Sequence, residues 1–266
     1  MQMASSTNLG ATARAALEAL FSASGRTTVQ DLFHETLIQH DPNKADGLQG
    51  LMHFAEELAR SPHARVTVLR TLVDRDFVVL HSIYDGLPGA TPSMIAFDIF
   101  RFQHGKIVEH WGGQEPLMGL NVSGRSQTDG ANGVADRDKT EYNRQRVRDF
   151  KQAVTVELQF DRIDEFIDGH NYAQHASKVG DGTDRLKARI AEATRTGSVR
   201  NGPVLHPKMY LAEGNFVLAL VDAQTDAGHT ANYDLFRVEG GKLVEHWDVL
   251  SEIPPQEDRK NTNSPF

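Results

Sequence analysis

Apolar residues recur three to four positions apart over 12–21, 28–38 and 47–60, the last stretch carrying Leu48, Leu51, Met52, Phe54, Ala55 and Leu58. That spacing gathers them on one side of a helix and predicts three amphipathic helices. Ser61-Pro62 stops the third. β-Branched and aromatic runs at 66–73, 77–84, 94–102 and 106–111, separated by turn residues, then predict four strands. The order starts again with helices over 143–158, 161–167 and 183–194 and strands over 204–211, 216–222, 230–238 and 243–250. Helices first and strands last argues α+β rather than alternating βαβ. Helices on one side of a curved, mostly antiparallel sheet leave the space between the two layers for a ligand.

The chain repeats itself in detail. FDIFRFQHGKIVEHW over Phe97–Trp111 and YDLFRVEGGKLVEHW over Tyr233–Trp247 agree at nine of fifteen positions, against roughly one expected at average composition. Gln39-His40 with Asp46-Gly47 parallels Gln174-His175 with Asp181-Gly182, and Asp76-Phe-Val-Val-Leu parallels Asn215-Phe-Val-Leu-Ala. These echoes keep their order at offsets of 135 to 139, the mark of a tandem duplication with small insertions. Between the halves, 119–138 is rich in Gly, Ser, Asn and Asp and reads as a linker. The expected division is a first domain over 1–118, the linker over 119–138, and a second domain over 139–266 that includes a C-terminal tail. Asn121-Val122-Ser123 has the form of a glycosylation acceptor and is read as coincidence.

Composition narrows the chemistry. With 266 residues, 39% hydrophobic and 24% charged, the chain can bury two ordinary cores. Twenty-eight Lys and Arg against 36 Asp and Glu give a net charge of −8, which argues against nucleic acid and membrane surfaces as partners. The absence of cysteine removes disulfides, thiolate zinc sites and cysteine nucleophiles. The twelve histidines show no metal-ligand spacing, and the chain has no Walker loop, nucleophile elbow or dinucleotide fingerprint. No metal and no cofactor are expected. With no secretory leader and no apolar run near the ~18 residues of a membrane span, the expected location is cytoplasmic.

Two-residue hairpin turns at His104-Gly105 and Gly240-Gly241 would set Phe102 opposite Ile107, Phe100 opposite Glu109 and Asp98 opposite Trp111. Asp98, Phe100, Phe102, Ile107, Glu109 and Trp111 would then share one face, with Phe97, Ile99, Arg101, Val108 and His110 on the other. The pattern leaves open which face is concave.

Helices, then Gln-His-x5-Asp-Gly, then Asp-(Ile/Leu)-Phe-Arg-x3-Gly-Lys-(Ile/Leu)-Val-Glu-His-Trp: this order resembles the SnoaL-like polyketide cyclase family of the NTF2-like superfamily, in two tandem copies. The resemblance implies two α+β cones, each with a pocket inside, packed as an intrachain pseudo-dimer or joined further as a homodimer. Enzymes of this kind use an acidic strand residue as base on a carbon acid, without a cofactor. Carried over by motif, Asp98 is the general base and His40 a catalytic donor to the oxyanion that forms; His81, on the second strand of the first half alone, is read as a further catalytic donor. Trp111, Phe100, Glu109 and His110, with His175, Asp234 and Trp247 from the second half, are the substrate-binding positions. Two departures stand out: His175-Ala176-Ser177 replaces a common His-Asn-Pro, and Gly112 replaces an Asp after the Trp. The first half, with its intact Gln-His-Asp-Pro, is the one expected to be competent. The expected function is cofactor-free acid/base chemistry on a small apolar carbonyl compound, an aldol-type cyclisation or an isomerisation by a lyase- or isomerase-like enzyme. A non-catalytic binding or assembly module, with cones plugged by Phe100 and Phe102, and an epoxide or lactone hydrolase are the alternatives.

Overall fold

The computed structural model describes residues 6–22, 24–89, 92–184, 186–188, 204–225 and 228–266. They form two compact units, Met1–Leu117 with Ile253–Phe266, and Met118–Glu252. The tail expected with the second domain is part of the first unit, and 119–138, expected as a linker, is part of the second.

In the first unit Ala13, Ala16, Leu17 and Leu20 obey the i, i+3, i+4, i+7 rule, so α1 (Ser6–Leu20) presents one apolar stripe, and all four are buried. After α2 (Arg26–Leu32) the chain enters β1 (Phe33–Gln39), and α3 (Gly47–Ala59) buries Leu51, Met52 and Leu58. β2 (Arg65–Asp74), β3 (Phe77–Asp85), β4 (Met94–Gln103) and β5 (Lys106–Pro116) complete a five-stranded sheet of order β1-β5-β4-β3-β2. β1 runs parallel to β5, and the other pairs are antiparallel. The helices cluster with Val78, Leu80, Tyr84, Ala96, Phe100, Phe102 and Ile107, which define the inner face of the sheet.

β1 corrects the expected helix over 28–38. Val29, Phe33 and Leu37 lie four apart, which suits a helix, but Phe33, Leu37 and Gln39 also fall on one side of a strand. The edge of β5 supplies backbone partners only to the extended form.

The second unit repeats the plan with α4 (Thr140–Phe150), which continues as a π-helix over Lys151–Val156, and a short α5 (Ile163–Phe166). β6 (Ala173–Gln174), β7 (Val204–Glu213), β8 (Phe216–Thr225), β9 (Gly228–Glu239) and β10 (Lys242–Glu252) form a sheet of order β6-β10-β9-β8-β7. Most of the helix expected over 183–194 lies outside the described residues. No described helix is long and apolar enough to cross a membrane. Each unit is thus an α+β cone with a mostly antiparallel sheet.

Candidate active site

Both repeated hairpins turn in two residues with positive φ, +50° and +81° at His104-Gly105 and +55° and +78° at Gly240-Gly241, the conformation that glycine tolerates best. Phe102 faces Ile107 as expected, but the next pair is Arg101 with Glu109. Val108 is one residue too many, a β-bulge that moves every later residue of β5 to the other face. Phe100 therefore faces His110 rather than Glu109, and Asp98 faces Gly112 rather than Trp111. Val244 does the same in β10, setting His246 opposite Phe236 and Asp248 opposite Asp234. The bulge carries the histidine of Glu-His-Trp to the inner face beside the strand aspartate, and turns the glutamate and tryptophan outward.

In the first unit Asp98 and His110 are 2% and 4% exposed. His110 Nε2 lies 2.9 Å from Asp98 Oδ1, its Nδ1 lies 2.7 Å from Gln39 Oε1, and the Tyr84 hydroxyl donates to Asp98 Oδ2. Asp41 and Lys44, on the loop after β1, form an ion pair at 2.7 Å. Burial raises the Tyr84 phenol well above its ordinary value, and the Asp98 carboxylate adds to this, so Tyr84 is a neutral donor. Burial favours the charged form of neither Asp41 nor Lys44, but each outweighs it for the other: Asp41 is lowered and Lys44 is raised. For His110 burial wins over the bond to Asp98, with Lys44 adding to it, so the ring is held below its ordinary value and is a neutral imidazole at neutral pH.

A neutral imidazole has one N–H. The carboxylate is the stronger acceptor, so Nε2–H donates to Asp98 and Nδ1 must accept. Gln39 then presents its amide nitrogen to Nδ1, which also gives a partner to a buried Nε2 that otherwise has none. Ser82, on the same face as Leu80 and Tyr84, keeps a buried hydroxyl with no partner among the described residues.

The structure does not bring His40 and His81 to Asp98. His40 stacks on Trp111 at 4.2 Å, with Nε2 3.1 Å from Glu109, which also pairs with Arg101. His81 faces Phe97 across β4, stacks on it at 4.3 Å and meets Arg70 through Nδ1. Both rings belong to the outer face: His81 because Leu80 rather than His81 pairs with Asp98, and His40 because it stacks on the outward Trp111. Trp111 and Glu109 are outward as well. Phe100 is inward, stacked on His110 and edge-on to Phe33. The second unit builds the same outer cluster: His175 stacks on Trp247 at 4.7 Å and bonds Glu245, which accepts from Arg237. Much of the repeated Arg…Glu-His-Trp signature is therefore an outer network of the sheet.

Inside the second unit His246 meets Gln174 through Nδ1 and Asp234 through Nε2, the same three residues at equivalent positions but with the glutamine amide turned the other way. Gln174 Oε1 also accepts the Ala176 N–H, which fixes the amide with its oxygen toward His246. Lys151, buried on the π-helix, donates to Asp234 Oδ2 at 2.6 Å. Burial works to raise Asp234, but Lys151 and then His246 outweigh it and hold the carboxyl well below its ordinary value. Ligand atoms of Asp234, His246 and Asp248 lie within 4.8 Å of one another, with the Lys151 ammonium already against one of the carboxylates.

Asparagines from remote segments shape both loops. The buried Asn261 amide nitrogen donates to Asp41 O and Lys44 O at 2.8 and 2.9 Å, and Asn263 donates to Gln39 O. Asn121 does the same on the second unit, donating to Gln174 O, Ala176 O and Val179 O. Its amide is buried and fully engaged, so the apparent glycosylation acceptor has no free nitrogen to modify. The signal in the sequence was an Asn-x-(Ser/Asn) after each last strand.

Residues 13–110 match the family model of the SnoaL-like domain. No curated protein matches the chain. Similar solved structures include a candidate polyketide cyclase from Bacillus cereus, 20% identical over 41% of this chain and 75% of that one, TM-score 0.37. A candidate ketosteroid isomerase from Kribbella flavida is 14% identical over 44% and 84%, TM-score 0.37. An NTF2-like protein of unknown function from Mesorhizobium loti is 19% identical over 43% and 97%, TM-score 0.35. The match to the family model lies within the first unit, which is thus similar to the SnoaL-like domain over residues 13–110, and the second unit repeats the order of strands in its sheet.

Proposed function

We propose that the first unit is a cofactor-free site for proton transfer on a small, largely apolar carbonyl compound, with Asp98 as base and His110, not His40 or His81, as its imidazole partner. The observation that supports this is the buried carboxylate of Asp98 set between the Tyr84 hydroxyl and the His110 ring. Desolvation keeps a carboxylate reactive toward a carbon acid. Asp98 takes the proton from the carbon next to the carbonyl, the C–H electron pair becomes an enolate, and Lys44 is the donor for its oxygen, joined by the Tyr84 hydroxyl once a protonated Asp98 releases it. Return of the proton to another carbon gives isomerisation, and attack of the enolate carbon on a second carbonyl gives aldol-type cyclisation. Ser82 would meet a polar group of the substrate.

The test is hydrogen–deuterium exchange next to the carbonyl, across a panel of cyclic and acyclic ketones in deuterated water. Asp98→Asn lowers exchange while ligand binding, read at the His110 ring signals, survives. Undiminished exchange removes Asp98 from the chemistry. A second reading, a non-catalytic binding or assembly module, draws on Phe100 and Phe102 packing in the core cluster, and hydrolysis of an epoxide or lactone by the same groups is the third. No exchange with any ketone, together with binding at His110, selects the module, and turnover of epoxides or lactones alone selects the hydrolase.

A further inference from the structure

The two departures from the family pattern compensate each other. At the strand position after the tryptophan the first unit has Gly112 and the second has Asp248. At the loop position after the Gln-His pair the first unit has Asp41 and the second has Ala176. A Cβ at Gly112 would lie 3.2 Å from Asp41 Oδ2, so the two positions reach the same corner, beside the inward histidine. One carboxylate occupies that corner in each unit, from the loop in one and from the strand in the other.

The remaining groups show the same exchange. The ion-paired lysine is Lys44, half-buried on the loop in the first unit, where the second has Val179, and Lys151, buried on the π-helix in the second. The buried phenol is Tyr84 on β3 in the first unit, where the second has Ala223 on β8. In the second it is Tyr172 just before β6, where the first has Leu37. Tyr172 is raised by burial first and by Asp234 and Asp248 next, as Tyr84 is by burial and Asp98. Each unit therefore gathers two carboxylates, an imidazole, an ammonium and a phenol near its own equivalent glutamine, all buried except the half-buried Lys44 and Asp248, and three of these groups come from non-equivalent positions. Burying such groups is costly, and drift in a copy kept only for packing would replace them with apolar residues.

We propose that the second unit holds a second proton-transfer site for a small carbonyl compound, with Asp248 as its base. The proposal rests on the reading of the first unit given above. Lys151 fixes Asp234 as an ion-paired carboxylate, the part Asp41 plays with Lys44, so the aspartates have exchanged duties: strand Asp98 with loop Asp41 in one unit, Asp248 with Asp234 in the other. The base takes the proton next to the carbonyl, and the ammonium and Tyr172 are the donors for the enolate oxygen.

The full-length chain titrated with 2-naphthol, an enol mimic, tests this without turnover. The expected result is perturbation of the ring signals of both His110 and His246. Perturbation at His110 alone overturns the second site and leaves the first. Perturbation at His246 alone upholds the second site and overturns the reading of the first, and perturbation at neither overturns both. For the base, Asp248→Asn in an Asp98→Asn background should lower the remaining exchange at least about 10-fold. Asp248→Gly should lose as much, and Ala176→Asp added to Asp248→Gly should restore it to within about 3-fold. Exchange unaffected by Asp248→Asn, or not restored by Ala176→Asp, overturns the assignment of Asp248.

Discussion

The carboxylate of Asp41 fills the space into which a side chain at Gly112 would project, 3.2 Å from where its Cβ would lie, with His110 Cε1 at 3.0 Å. Glycine is required there because loop and strand converge on one corner. Gly112→Asp should therefore drive two carboxylates together and destabilise the first unit, and Asp41→Ala should recover much of the loss. A double-mutant cycle by chemical denaturation should give a coupling of about 1–3 kcal/mol, and additive effects would separate the two positions.

Acid should unfold the protein in two stages. His110 is held below its ordinary value, so between its folded value and about 6.5 the unfolded chain binds the extra proton, and stability falls as pH drops through that window. Asp41 and Asp234 are also lowered, and their contributions, present above their unfolded value of 3.8, are lost as pH falls further toward their folded values. Lys44, raised above 10.5, has the opposite sign, and its contribution is lost at high pH. Denaturation midpoints measured from pH 8 down to pH 3 check this order. In His110→Gln the first stage should be missing.

Asn261→Ala should free the loop that carries Asp41 and Lys44. Two carbonyls would lose a buried donor, a cost of about 1–3 kcal/mol. Amide hydrogen exchange should speed up over 41–46 and leave 176–181 unchanged, with Asn121→Ala doing the reverse. Equal speeding of both loops would mean a general loss of stability.

Ser82→Ala separates binding from folding. Its hydroxyl has no partner among the described residues, so removing it should leave stability unchanged or raise it slightly. Binding of a ligand that uses the hydroxyl should weaken by about 10-fold. A marked fall in the thermal midpoint would show that the hydroxyl serves the fold.

The repeat, the helix-then-strand order and the two-residue hairpins were legible because each leaves a period or a glycine in the chain. The bulge was not. Val108 and Val244 look like ordinary strand valines, and an extra residue shows only in the pairing, yet it decides that His110 and not Trp111 stands beside Asp98. β1 was hidden because Phe33 and Leu37 satisfy both periods. The misplacement of His40 had another cause: its repetition as His175 reflects stacking on tryptophan and pairing with glutamate on the outer face. Asp41, Lys44 and Tyr84 were missed because they have no counterparts at equivalent positions; in the second unit Asp248 and Lys151 reach Asp234 from other positions, which shows only in space.

The central claim is that Asp98, held by Tyr84 and His110, is a working base. It is tested most directly by deuterium uptake next to the carbonyl of a turned-over ketone, compared between the unaltered chain and Asp98→Asn, with ligand binding monitored at His110. The account predicts a fall of about half or more, the second unit supplying any remainder, with binding at His110 retained. Uptake equal to that of the unaltered chain would contradict it.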